Sequence, residues 1–178
     1  MNLGVLVPLT LLIKIFVTHR THNGTALLIY ELMVLCGGSP AFGGWFQDSL
    51  RRRLNRRFGC YVSPRARLGK RCLFPHPVGI VIGDGVVIGD DCVIYQNVTL
   101  GAHGRAVYGE RYPSLGNGVV VYAGAVVVGR VCIGDGAVVG ANAVVTRDVS
   151  AGDVVAGVPA MVLGRRVAKC TNSEGGDA

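Results

Sequence analysis

None of the six cysteines (Cys36, Cys60, Cys72, Cys92, Cys132 and Cys170) belongs to a Cys-x-x-Cys pair. That scatter excludes a zinc ribbon and a small disulfide scaffold, and reduced thiols are the expectation. Acidic residues are missing where basic ones gather. Nine of the eighteen Lys and Arg lie between Arg51 and Arg71, with no Asp or Glu among them. Such a window attracts cofactor phosphates, an anionic glycan, a membrane surface or nucleic acid, or it is a solvated basic helix. Aromatic side chains are not interleaved with it, so no nucleic-acid stacking platform is expected. A bilayer-spanning run is also lacking. Leu3 to Val17 is apolar but short and interrupted by Lys14, and Ala26 to Cys36 is short as well. No basic residue precedes the first run and no clear small-residue cleavage site follows it, which gives a signal peptide little support. Both stretches read as helices packed on a neighbour or lying on a membrane surface.

What is present is a chain of 178 residues, half of them apolar, with a formal charge of +7. That suits one domain with a modest appendage and a substantial core. From Val62 onward, large aliphatics recur at every sixth position: Val62, Leu68, Ile82, Ile88, Ile94 and Leu100, then Leu115, Val121, Val127, Ile133, Val139 and Val145. A period of six is neither strand alternation nor helix spacing. Four residues after these aliphatics stand Ala66, Cys72, Val86, Cys92, Val98, Val119, Ala125, Val131, Ala137, Ala143 and Val149, all small or β-branched. They suit a narrow interior in which a bulky side chain would overpack. Three residues after the aliphatics stand Gly85, Asp91, Asn97, Gly118, Gly124, Gly136, Asn142 and Asp148, the types that tolerate positive φ at a tight corner. Arg65, Arg71 and Arg130 interrupt that column. The pattern is a solenoid of short parallel strands.

Two irregularities mark where function is expected. Between Phe74 and Val81 the register slips by two residues, and Gly101 to Ser114 form an insertion. His76 lies in the first and His103 in the second, while His19 and His22 have no supporting context.

The segments His76-Pro-Val-Gly-Ile-Val-Ile-Gly83, Tyr95-Gln-Asn-Val-Thr-Leu-Gly101, Arg111-Tyr-Pro113 and Gly157-Val-Pro-Ala160 occur in this order. Together they resemble the catalytic half of the serine acetyltransferases and of related hexapeptide-repeat enzymes that acetylate polysaccharides, over roughly Phe58 to Arg166. The resemblance implies a mainly β chain, a triangular left-handed parallel β-helix of about five coils, against the general preference for right-handed crossovers. It implies an acetyl-CoA-dependent O-acetyltransferase, no metal and a homotrimer with the cofactor between adjacent coils. His76 matches the family's catalytic histidine, a base suited to a hydroxyl proton. Gly101, Ala123, Gly124, Ala141 and Asn142 match the cofactor groove, and Arg165 and Arg166 are candidates for its phosphates. His103 and Arg111 are candidates for the acceptor.

Departures from the family bear on that acceptor. Serine acetyltransferases carry an orienting aspartate where Tyr61 stands, an aspartate contacting serine where Pro75 stands, and a histidine where Tyr112 stands. Arg111 is retained and suits a serine carboxylate or an acidic sugar. Tyr61 and Tyr112 therefore join the acceptor-site candidates, and a sugar or polysaccharide hydroxyl is slightly preferred to serine. The alternative is a catalytically inactive trimer acting as a scaffold or binding module. A carbonic anhydrase on the same scaffold would need three histidine ligands, and only His76 and His103 lie in the coil region. The expected organisation is a helical extension over 1–58, the β-helix over 59–166 and a tail over 167–178. A cytoplasmic location is expected, with peripheral contact to the inner membrane face through the N-terminal segment left open.

Overall fold

A computed structural model describes residues 26, 29–31, 43–103 and 111–166. The first apolar stretch, His19, His22, part of the insertion (104–110) and the tail (167–178) lie outside the described residues. Residues 26 and 29–31 are helical; helix α1 (Gly43–Phe58) follows and holds Arg51, Arg52, Arg53, Arg56 and Arg57 of the basic window. The chain then coils. In sequence order the strands are β1 (Tyr61–Val62), β2 (Arg67–Leu68), β3 (Val81–Ile82), β4 (Val87–Ile88), β5 (Val93–Ile94), β6 (Thr99–Gly101) and β7 (Ser114–Leu115). After them come β8 (Val120–Val121), β9 (Val126–Val128), β10 (Cys132–Ile133), β11 (Val138–Val139), β12 (Val144–Val145), β13 (Asp153–Ala156) and β14 (Met161–Arg165).

Segments this short, each followed by a corner, cannot pair with their sequence neighbours and pair with the next coil instead. Three walls result: β1-β3-β6-β9-β12, then β2-β4-β7-β10, then β5-β8-β11-β13-β14. All pairings are parallel except β13 with β14, where the chain turns back antiparallel. This is the expected left-handed parallel β-helix.

The columns read from the sequence point inward as expected. Every large aliphatic of the repeat is buried except half-buried Leu68 in the first coil, and every residue of the small column is buried. The thiols of Cys72 and Cys92 belong to that packing. Burial pushes both up, Cys92 to about 11 from an ordinary 9.0. Of the second apolar stretch, Ala26, Ile29 and Tyr30 are buried, and the Tyr30 hydroxyl donates to the Ala66 carbonyl at 2.6 Å. Those residues pack on a neighbour, one of the two expected alternatives.

The corner column needs correction. Positive φ occurs at Asp91, Asn97, Gly118, Gly124, Gly136 and Asn142, but not at Gly85 or Asp148, and it does occur at Arg71 (φ 55°). The reason lies in the edges. Corners from the second to the third wall, and from the third to the first, use the left-handed conformation. The corner residues Arg65, Gly85, Arg130 and Asp148, all between the first and second walls, do not, although Gly129 beside Arg130 has a positive φ of 94°. Arg71 is held in its corner by a two-pronged pair with Asp91 of the next coil, Nε to Oδ1 at 2.6 Å, which draws that carboxylate's pKa down. Alongside runs a ladder in which each coil's Asx side chain accepts a backbone N–H from the coil before. Lys70 donates to Asp90 at 2.8 Å, Asp90 to Asn117 at 2.8 Å and Asn117 to Asp135 at 2.7 Å. These contacts satisfy amides at the corners.

Two outcomes are expected. Ala125→Leu, at a fully buried small-column site, should cost about 1–3 kcal/mol in denaturant unfolding through overpacking. Above pH 9.0 the unfolded chain ionises the Cys92 thiol, while the folded chain keeps it protonated up to about 11. Stability should therefore fall across that window, with a shallower slope in Cys92→Ala.

Candidate functional site

The register slip puts His76 at the edge between the third and first walls. Phe74, Pro77 and Ile80 point inward and are buried, while His76 is exposed between them. A tight turn, Val78 N–H donating to the His76 carbonyl at 2.7 Å, holds the backbone there. The imidazole makes no hydrogen bond to another described residue. Its ring neighbour is Tyr95, 6.5 Å between centroids and tilted by 50°. Tyr95 stacks on Tyr122 of the next coil at 5.1 Å and 17°. Tyr122 is 42% exposed, so the pair offers an accessible aromatic surface beside the histidine. The side-chain Oε1 of Gln96, at the same edge, is buried and unpartnered among the described residues.

Sequence reasoning passed over Tyr95, Gln96 and Tyr122. Tyr95 and Gln96 belong to the Tyr95–Gly101 motif, which does not by itself mark either as a site residue. A signal was available, because Tyr95 directly follows β5 and Tyr122 directly follows β8, equivalent positions of adjacent coils.

Ala123, Gly124, Ala141 and Asn142 lie on this same edge, after β8 and β11. They leave the backbone approachable next to the tyrosines. Asn142 Oδ1 fills the space that a Cβ on Gly124 would take, so its amide already covers the preceding coil.

The other candidates fall elsewhere. Gly101 belongs to β6 and pairs with Val128, and Ser114 belongs to β7, so the insertion is shorter at both ends than expected. It leaves the coil at the edge between the first and second walls. His103 is exposed there, over Gly129, and Arg111 is exposed on the returning side. Tyr112 is half-buried, with its ring against Gly83 and Gly85. A Cβ on Gly83 would sit 2.6 Å from that ring, and one on Gly85 would sit closer still. Gly85 is therefore needed for the space under Tyr112, not for its φ. Tyr61 borders a concavity shared with Arg51, Arg52, Asn55 and Arg56. Arg165 pairs with Asp153 at 3.0 Å on the terminal hairpin, and Arg166 is exposed beyond it.

The candidate residues thus fall into two groups on different edges, separated by the first wall. His76, the tyrosine pair and the small residues form one, and His103, Arg111 and Tyr112 form the other. Among the described residues, no cluster of His, Cys, Asp and Glu is arranged to hold a metal ion.

The three-walled coil of hexapeptides defines the fold class. The family model for bacterial transferase hexapeptide (six repeats) matches residues 112–147, so this stretch carries that family's repeat. The chain's relatives make the resemblance more particular. It is 42% identical over 126 residues to probable serine acetyltransferase 1 of Oryza sativa subsp. japonica, covering 67% of this chain and 41% of that protein. It is 46% identical over 107 residues to the serine acetyltransferase of Synechococcus elongatus, covering 60% of this chain and 43% of the relative. The chain thus spans less than half the length of these relatives. Among solved structures, the serine acetyltransferase of Brucella abortus in complex with coenzyme A superposes with a TM-score of 0.77 at 27% identity, over 88% of this chain and 67% of that one. The Vibrio cholerae enzyme gives 0.76 at 32% identity, over 82% and 55%.

Gly85→Ala should force the Tyr112 ring from its seat and lower stability by about 1–3 kcal/mol. In a Tyr112→Ala background the same change should cost little, and a thermal-melt double-mutant cycle measures that difference.

Proposed function

We propose that the chain is an acetyl-CoA-dependent O-acetyltransferase with His76 as general base, acting on a sugar or polysaccharide hydroxyl in preference to serine. The observation that carries the acceptor class is the stacked Tyr95–Tyr122 pair beside the exposed His76. Aromatic faces suit the C–H faces of a pyranose by dispersion and apolar burial. Serine presents too little C–H surface to cover two stacked rings. Pro75 and Tyr61 supply no charge for that ammonium.

His76 takes the proton from the acceptor hydroxyl as its oxygen attacks the thioester carbonyl carbon. The tetrahedral adduct then expels the coenzyme A thiolate, to which the imidazolium returns the proton. The products are the O-acetyl ester and free coenzyme A, with His76 neutral again. Ala123, Gly124 and Ala141 would line the pantetheine arm, and Arg166 suits its phosphates. Arg165 is the weaker candidate because Asp153 already engages it.

A homotrimer supports this chemistry. Packing the His76 edge of one chain against the His103–Arg111–Tyr112 edge of the next unites the two groups, and repetition closes a three-fold ring. Val78 and Val81, 57% and 37% exposed beside His76, are apolar surface that such packing would cover.

Serine is the second reading, and it is favoured by the names of the relatives, which are serine acetyltransferases. The test is free-thiol release from acetyl-CoA with L-serine and with a panel of sugars and oligosaccharides. Glycan turnover is expected, and turnover with serine alone would replace the first reading by the second. His76→Ala should lower turnover by about 10²–10⁴-fold while coenzyme A still binds. Tyr122→Ala should raise KM for the glycan with kcat little changed. No turnover together with no coenzyme A binding would leave a structural trimer.

A further inference from the structure

Helix α1 closes the first-coil end of the solenoid, and only one of its faces is used in doing so. Leu54 and Phe58 are buried against the coil, 1% and 6% exposed. On the opposite face Trp45, Ser49, Arg52 and Arg56 follow one another on successive turns, flanked by Arg53. The indole of Trp45 is 78% exposed. Arg51 is engaged by Asp48 at 3.0 Å, and the Arg57 guanidinium lies 5.7 Å from the Phe58 ring centroid. Arg52, Arg53 and Arg56 have no carboxylate partner among the described residues. Two concavities run along them. One of about 490 Å³ is lined by Ser49, Arg52, Arg53, Arg56 and Arg57, and one of about 430 Å³ by Arg51, Arg52, Asn55, Arg56 and Tyr61.

We infer that this outer face of α1 is a docking surface for an anionic phospholipid bilayer. Guanidinium groups bind phosphate oxygens in forked pairs, and both concavities are rimmed by several of them. The exposed indole selects lipid over other polyanions. An amphipathic ring at the edge of a cationic face suits the headgroup level of a membrane, where tryptophan is enriched. A nucleic-acid platform would need aromatics alternating with the arginines, and the arginine-rich part of α1 has none before Phe58. Because α1 sits at one end of the coil, docking leaves the walls and edges clear of the bilayer. In a ring of parallel coils the same face would be presented by each subunit, which multiplies weak contacts.

This inference is independent of the acyl-transfer reading, and so is its test. Trp45 is the only tryptophan of the chain and reports on the face itself. The full-length protein is mixed with vesicles of phosphatidylcholine alone or with phosphatidylglycerol, and binding is read by co-flotation and Trp45 emission. The expected result is binding to the anionic vesicles only, a blue shift of the emission, and loss of binding on raising salt. Arg52→Glu/Arg56→Glu should weaken partitioning by roughly tenfold or more, from the attraction each basic residue has for an anionic surface. Trp45→Phe should reduce binding to anionic vesicles without altering the melting temperature. Equal binding to neutral vesicles, or an unshifted emission in the bound state, would overturn the proposal. So would binding that charge reversal leaves intact. Retention by heparin or single-stranded RNA without vesicle binding would overturn it in favour of another polyanion.

Discussion

The structure depends on one constraint: the backbone amides of each coil are answered by the next coil. Strands of two or three residues have too few hydrogen bonds to stand alone, so every wall exists only as a stack. The stack in turn sets what the interior accepts. Large aliphatics and small residues take turns along the coil, and Ala125, Ala137 and Ala143 are fully buried within it. The ends need other solutions. Leu54 and Phe58 of α1 cover the first coil, and β14 turns back antiparallel on β13 at the last.

The three edges of the prism divide the work. The edge between the second and third walls is held by backbone-to-Asx hydrogen bonds and the Arg71–Asp91 pair. The other two carry the irregularities: the slip that exposes His76 and the insertion that carries His103 and Arg111. The slip between Phe74 and Val81 places the exposed His76 on one of these edges.

The aromatic pair shows how a scaffold of this kind acquires a surface. Stacked coils bring equivalent positions into register, so two tyrosines at one position lie ring on ring without any loop to shape them. Tyr112 shows the converse. Its ring lies in space left by two glycines, so a residue read as facing the acceptor also packs the wall. The arginines of α1 follow neither pattern. They stand off the coil on a helix whose inner face is committed to Leu54 and Phe58.

The sequence by itself determined the coil, its inward columns, the place of the slip and the exposure of His76. A residue's surroundings in a solenoid follow from its position in the repeat, and that position can be counted along the chain. Cys72 and Cys92 were legible as core for the same reason. The edges were not legible, because the hexapeptide pattern is alike on all three, and only the closed coil decides which one a residue faces. Gly85 looked like a residue chosen for its φ, and the structure shows a residue chosen for space. Arg71 looked like a break in the corner column and is a corner held by Asp91 from the next coil. The meeting of Tyr95 with Tyr122, and the parting of His76 from His103, depend on how the insertion is absorbed within one turn. That is a property of the stacked coils, since contacts between residues far apart in sequence form only when each turn closes to the same pitch.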